Sequence, residues 1–249
     1  MKIKVKTLTF ATMLALAPAL AWGAPGSGIA TTAHDFTTRS GNTQPVGLCT
    51  FCHTPHKAAK TLLLWNHTLS SNTFNWDEPK TTAGTTFPTI VGNTYKGPTA
   101  KCLSCHDGSV AIGDVAWFNA AARGGAAALN ASTIASTDAH SVGFGGAMAG
   151  NHPVGMPYPY NNLSNTYNGA TTGTAAVLTE WVGDPQTKNI RVFNDSSGII
   201  TAGAVAGKSG IECSSCHDPH NKASTGDYFL RGAMTGNTDA YLCLKCHIK

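Results

Sequence analysis

The sequence predicts a chain that is mostly coil, with short α-helices and few strands, and three observations predict it. Charged residues make up only 12% of the 249 positions, while glycine alone contributes 27. Stretches such as AARGGAAALNASTIAST (121-137) and NGATTGTAAV (168-177) carry neither a sustained helical period nor a strand alternation. Finally, all eight cysteines fall in four copies of Cys-x-x-Cys-His: CTFCH at 49-53, CLSCH at 102-106, CSSCH at 213-217 and CLKCH at 243-247. With so little aliphatic patterning, the expected fold is organised around whatever those four motifs hold.

Two thiols three residues apart can each form a thioether to a haem vinyl group, and a histidine directly after the second cysteine then lies under the porphyrin iron. Structural zinc and redox dithiols both use paired cysteines, but neither requires that histidine. Histidine is only 10 of 249 residues, yet it follows all four pairs. The expectation is four covalently bound haem c groups. Cys49 and Cys52, Cys102 and Cys105, Cys213 and Cys216, and Cys243 and Cys246 would hold them, with His53, His106, His217 and His247 as proximal ligands. The expected fold class is therefore a multihaem cytochrome c organised around its haems. The cofactors would supply much of the apolar mass, so apoprotein is expected to be largely unfolded.

The N-terminus agrees with export. Lys2, Lys4 and Lys6 precede an apolar run from Leu8 to about Ala21, followed by small residues at Ala21, Gly23 and Ala24. This reads as a signal peptide over 1-23, too short in its apolar core for the roughly 20 residues of a spanning helix. No later segment is long and apolar enough to span a membrane. Three of the 17 basic residues lie in the signal, leaving 14 against 13 acidic ones, and no basic stripe points to nucleic acid. Residues 24-249 are expected to form one tetrahaem domain. Haems 1 and 2 would lie in about 24-120 and haems 3 and 4 in about 205-249, with a wrapping segment between. Trp117, Phe118, Phe144, Trp181 and Phe193 in that segment are expected to pack on haem faces.

Six histidines remain for the sixth coordination position: His34, His56, His67, His140, His152 and His220. Methionine is the alternative ligand and would raise the potential, with Met148, Met156 and Met234 on hand, but surplus histidine favours bis-histidine irons. His56 and His220 follow a proximal histidine by three residues, in CHTPH and CHDPH. Each leaves from the proximal side of its own haem, so as a ligand it must serve a different one. His152 sits in a rigid Gly- and Pro-flanked turn. His34 has Asp35 beside it, and a carboxylate accepting the Nδ1 proton leaves Nε2 for iron. His34, His56, His152 and His220 are the expected distal ligands, with His67, after the apolar run LLLW, in reserve and His140 the most loop-like.

The order HDF, CTFCHTPH, LLLWNH, CLSCHDGSVA, NHPVG, CSSCHDPH, DYFLRG and CLKCH resembles multihaem cytochromes with doubled CXXCH motifs. In size and haem count it is most similar to the extracellular tetrahaem filament cytochromes of the OmcE type. The resemblance implies bis-histidine haems in a continuous stack and polymerisation in which one subunit lends an axial histidine to its neighbour. His56 is the residue that this carry-over selects.

The expected function is electron transfer without substrate conversion, as a secreted, polymerising conduit at the outer surface. Its partners would be copies of itself, other redox cytochromes and external acceptors, with no nucleic acid and no membrane span after signal removal. The alternatives are a soluble periplasmic shuttle, a reductase with one open iron, which the histidine surplus disfavours, and a membrane-tethered quinol-oxidising subunit.

Overall fold

The computed structural model describes residues 23-38, 47-56, 58, 62-82, 84-118, 121-122, 131-173 and 178-248. The expected signal segment falls outside the described residues except at Gly23. Among those described, no helix is long and apolar enough to cross a membrane.

The chain is mostly coil, as its composition predicts. Two α-helices bear cysteines, α1 (Thr99–His106) and the single turn α2 (Cys213–Cys216). Both carry Cys-x-x-Cys. Pro98 caps α1, where a missing N–H costs nothing, and its Thr99, Ala100, Leu103 and Ser104 are buried. α2 opens with a capping box in which Glu212 and Ser215 satisfy each other's backbone N–H groups. The fourth motif lies on a 3-10 turn, Leu242–Lys245.

Strands are two or three residues long. Thr73–Phe74 (β1) pairs with Ile90–Val91 (β2), and Trp117–Phe118 (β3) with Ala121–Ala122 (β4). Among the described residues, a larger sheet joins Met156–Pro157 (β5), Phe193–Asn194 (β8), Thr201–Ala202 (β9) and Ser209–Ile211 (β10) in the order β5-β10-β8-β9, all antiparallel. Thr166–Tyr167 (β6) and Ala170–Thr171 (β7) form a separate hairpin. β10 runs directly into Glu212 and α2, so the sheet built by the middle segment aims the third motif.

The middle segment does more than wrap. Leu69, Phe74, Ile90, Tyr95, Ala100, Leu103, Met148, Tyr167, Phe193 and Ile200 form a buried cluster. Phe193, expected to pack on a haem face, thus lies in a core made of protein side chains. The apolar residues are scattered in sequence without a period, and only the folded coil gathers them. Met148 and Met156 are also buried, at 1% and 4% exposure. Phe144 is exposed, Trp181 packs edge-on against Tyr158, and the side chains of Trp117 and Phe118 lie outside the described residues.

Candidate haem-binding sites

Each motif makes a tight turn. The histidine N–H of the first, third and fourth motifs donates to the carbonyl of the motif's first cysteine, at 2.8, 3.0 and 2.9 Å for His53, His217 and His247; the second motif makes its turn within α1. Both cysteines and the histidine then project from one turn, the arrangement that a covalently attached porphyrin requires.

Three motifs share a further backbone ladder. In the first, Thr54 N–H donates to the Leu64 carbonyl and Asn66 N–H to that of Cys52, at 3.0 and 2.9 Å. In the third, Asp218 N–H reaches Phe229 and Arg231 N–H reaches Cys216, at 2.7 and 2.9 Å. In the fourth, Ile248 N–H reaches Glu180 and Val182 N–H reaches Cys246, both at 2.8 Å. The strap lies after the motif in the first two cases and before it in the last.

The straps fix the proximal imidazoles. His53 Nδ1 lies 2.7 Å from the Leu63 carbonyl, His217 Nδ1 2.8 Å from that of Tyr228, and His106 Nδ1 2.7 Å from that of His140. A carbonyl only accepts, so Nδ1 carries the proton and Nε2 presents its lone pair, the tautomer a metal needs. The two strap residues are left-handed in both of the first cases: Leu63 and Leu64 (φ 64° and 51°), Tyr228 and Phe229 (φ 54° and 61°). That conformation costs about 1–2 kcal/mol at a residue with a side chain, and it turns the carbonyl onto the imidazole.

Three proximal histidines face a second histidine. His53 and His220 have ring centres 6.1 Å apart, His106 and His34 6.4 Å, and His247 and His152 6.5 Å. Two imidazoles on opposite sides of one metal, each bonded at about 2 Å, put their ring centres roughly 6 Å apart. Among the described residues no second histidine ring faces His217. His56 is exposed, like His220, while His67 is buried with its ring 5.8 Å from Trp65. His140 turns its own Nδ1 to Asp138 at 2.8 Å and gives His106 its backbone carbonyl.

Cysteines of neighbouring motifs lie close to one another, and burial raises several of the thiols. Burial pushes Cys52 up to about 11 and Cys105 up to about 12, and the charge of Cys52 adds to the rise at Cys105. A hydrogen bond with Cys102, ahead of burial, raises Cys213. Burial and then neighbouring thiols, Cys243 among them, raise Cys216 to about 11; burial and then Cys216 raise Cys246 to about 12. Among the described residues, no group of three or more His, Cys, Asp or Glu converges to hold a bare ion. The neighbouring cysteines also order the motifs in space as first, second, third and fourth.

The contact between the second and third motifs rests on Glu212. Its fully buried carboxylate accepts from Thr99 N–H at the start of α1 (3.1 Å), from Tyr167 (2.5 Å) and from Tyr95, while Cys213 N–H donates back to Thr99 Oγ1 (3.1 Å). One buried side chain thus sets the origins of both cysteine-bearing helices. Sequence reading passed over Glu212, Asp218 and the strap carbonyls. The spacing from His53 to Leu63 and from His217 to Tyr228, ten and eleven residues, was the available signal.

No curated protein matches the chain significantly. Residues 204-249, which hold the third and fourth motifs, match the family described as doubled CXXCH motif. The four Cys-x-x-Cys-His turns, the Nδ1-anchored histidines and this match over residues 204-249 together support covalent attachment of haem c, as in multihaem c-type cytochromes.

Proposed function

We propose that all four motifs carry haem c and that the chain is a subunit of a secreted, polymerising electron conduit. Bound haem c supplies an iron that takes up and releases one electron. The chain's residues hold and order the four sites. His53 with His220, His106 with His34, and His247 with His152 would each hold one iron between them, and the observation that carries this reading is their common spacing of 6.1 to 6.5 Å between ring centres. Two histidines per iron favour low potentials, and the burial of Met148 and Met156 in apolar surroundings supports histidine over methionine.

His217 is the position that another copy would complete. The CHTPH and CHDPH loops are equivalent, each following a motif and each held by a strap. Within the chain, the loop histidine of the third motif faces the first motif. The reciprocal arrangement between copies brings His56 of one subunit to the His217 site of the next, which continues the series without closing it. External acceptors and other redox cytochromes are the partners at its ends.

Electron microscopy of material sheared from cells tests the assembly. Filaments whose subunits carry four haems by intact mass are expected, and His56→Ala should abolish the filaments while leaving four haems attached. Monomers alone would instead leave a soluble periplasmic shuttle with the same three internal pairs.

A further inference from the structure

The loop after the third motif, His217–Asp218–Pro219–His220, touches three sites at once. His217 is a proximal histidine, and His220 faces His53. The Pro219 carbonyl lies 3.3 Å from Nδ1 of His34, the histidine that faces His106.

The shape of this loop comes from one carboxylate. Asp218 is 6% exposed. Its Oδ2 accepts from Lys222 N–H at 2.8 Å and Ala223 N–H at 2.5 Å, and its Oδ1 accepts from His220 N–H at 3.2 Å. The guanidinium of buried Arg231, on the strap of the same motif, lies 3.8 Å from Oδ1. The Asp218 carbonyl accepts from Asn221 N–H at 2.8 Å, and Asn221 extends the arrangement to the segment before His34. Its carbonyl and Oδ1 accept from Gly28 and Gly26 N–H at 3.0 and 3.1 Å, while its Nδ2 donates to the carbonyls of Ala24 and Gly28 at 2.9 and 3.0 Å.

The first motif lacks this device. Thr54 stands where Asp218 stands, its hydroxyl donating to the His56 carbonyl at 2.8 Å, and Asn66 stands where Arg231 stands. The loop that holds its histidine within the chain has a buried carboxylate bonded to three backbone N–H groups, and the equivalent loop has a hydroxyl making one bond.

We infer that Asp218 is a positioning residue for the axial ligands of two haems: by folding the 218-223 turn it presents His220 to the iron at His53 and, through Pro219 and Asn221, seats His34 opposite His106. It touches no iron itself. The inference rests on the axial pairs proposed above.

The test uses the full-length holoprotein with haem content verified by intact mass. In Asp218→Asn, the haem at His53 is expected to become largely high-spin in electronic and paramagnetic resonance spectra, as in His220→Ala, and the low-spin signal of the haem at His106 is expected to shift or weaken as His34 loses its seat. Added imidazole should restore the low-spin signal in both, and the His152–His247 haem should be unchanged. Asp218→Thr, which gives this loop the residue the first motif already uses beside a haem, should do the same where the asparagine variant matures poorly. Wild-type spectra in both Asp218 variants, beside a gain of high-spin haem in His220→Ala, would overturn the positioning role alone. A low-spin His220→Ala would overturn the axial pairing and this role with it. Loss of all four haems in both Asp218 variants while His220→Ala loads normally would assign Asp218 to general folding and also overturn it.

Discussion

His220 faces His53 with ring centres 6.1 Å apart and planes 23° from parallel, although the two come from the third and first motifs. The other opposed pairs are edge-on, at 62° for His34 with His106 and 65° for His152 with His247. The near-parallel pair is expected to give one low-spin paramagnetic resonance signal distinct from those of the two near-perpendicular pairs. Single replacement of His34, His152 or His220 by alanine should each remove a different signal and create one high-spin haem. His140→Ala should leave every signal in place, because His140 contributes its backbone carbonyl to His106. Loss of a low-spin signal in that variant would place His140 among the ligands.

Gly97 leaves room for the Glu212 carboxylate. A methyl group there would stand 2.7 and 2.8 Å from the two carboxylate oxygens and 2.6 Å from the Tyr95 ring. Gly97→Ala should therefore destabilise the protein by about 1–3 kcal/mol, the usual cost of overpacking, measured as a lowered denaturation midpoint. An unchanged midpoint would show that the Glu212 cluster yields easily.

Burial drives the Glu212 carboxyl above its ordinary value of 4.5, outweighing the hydrogen bonds from Thr99, Tyr167 and Tyr95 that act in the other direction. The folded state thus keeps a proton that the unfolded chain releases. The stability this contributes is complete below about 4.5 and is lost as pH rises through the folded-state value. Denaturation across that range should show stability falling more steeply in wild type than in Glu212→Gln, which cannot titrate. Parallel curves for the two proteins would exclude the linkage.

Protein made without haem should not be uniformly unfolded. The cluster of Phe74, Ile90, Leu103, Tyr167 and Phe193 is buried against β1, β2, α1, β6 and β8 and needs no cofactor to be apolar. Hydrogen exchange of the apoprotein is expected to protect the amides of the β5-β10-β8-β9 sheet while those of the strap ladders, Thr54, Asn66, Asp218 and Arg231, exchange quickly. Uniformly fast exchange would return the core to the haems.

The coil-rich fold was legible because low charge, abundant glycine and aperiodic Ala/Thr/Asn stretches leave no alternative pattern to propagate. The core was not legible, since Leu69, Met148 and Ile200 share no helical or strand period and meet only through loops. The histidines divide in the same way. A proximal histidine is fixed by covalent neighbours one and four positions earlier, whereas an opposed histidine is fixed by whatever fold brings it across.

The sequence by itself determined the chemistry of attachment: four Cys-x-x-Cys-His turns, each a local device whose geometry follows from a few successive residues. It also excluded a +3 histidine from its own haem by the length of one short peptide. Only the tertiary structure decided that His220 faces His53, that His34 faces His106 and that Cys102 lies against Cys213. Those relations depend on backbone carbonyls of Leu63, Tyr228 and His140 and on the buried carboxylates of Glu212 and Asp218. Backbone carbonyls are the same in every residue, so a sequence cannot mark the ones that hold a ligand, and a buried carboxylate reveals its role only once its donors surround it.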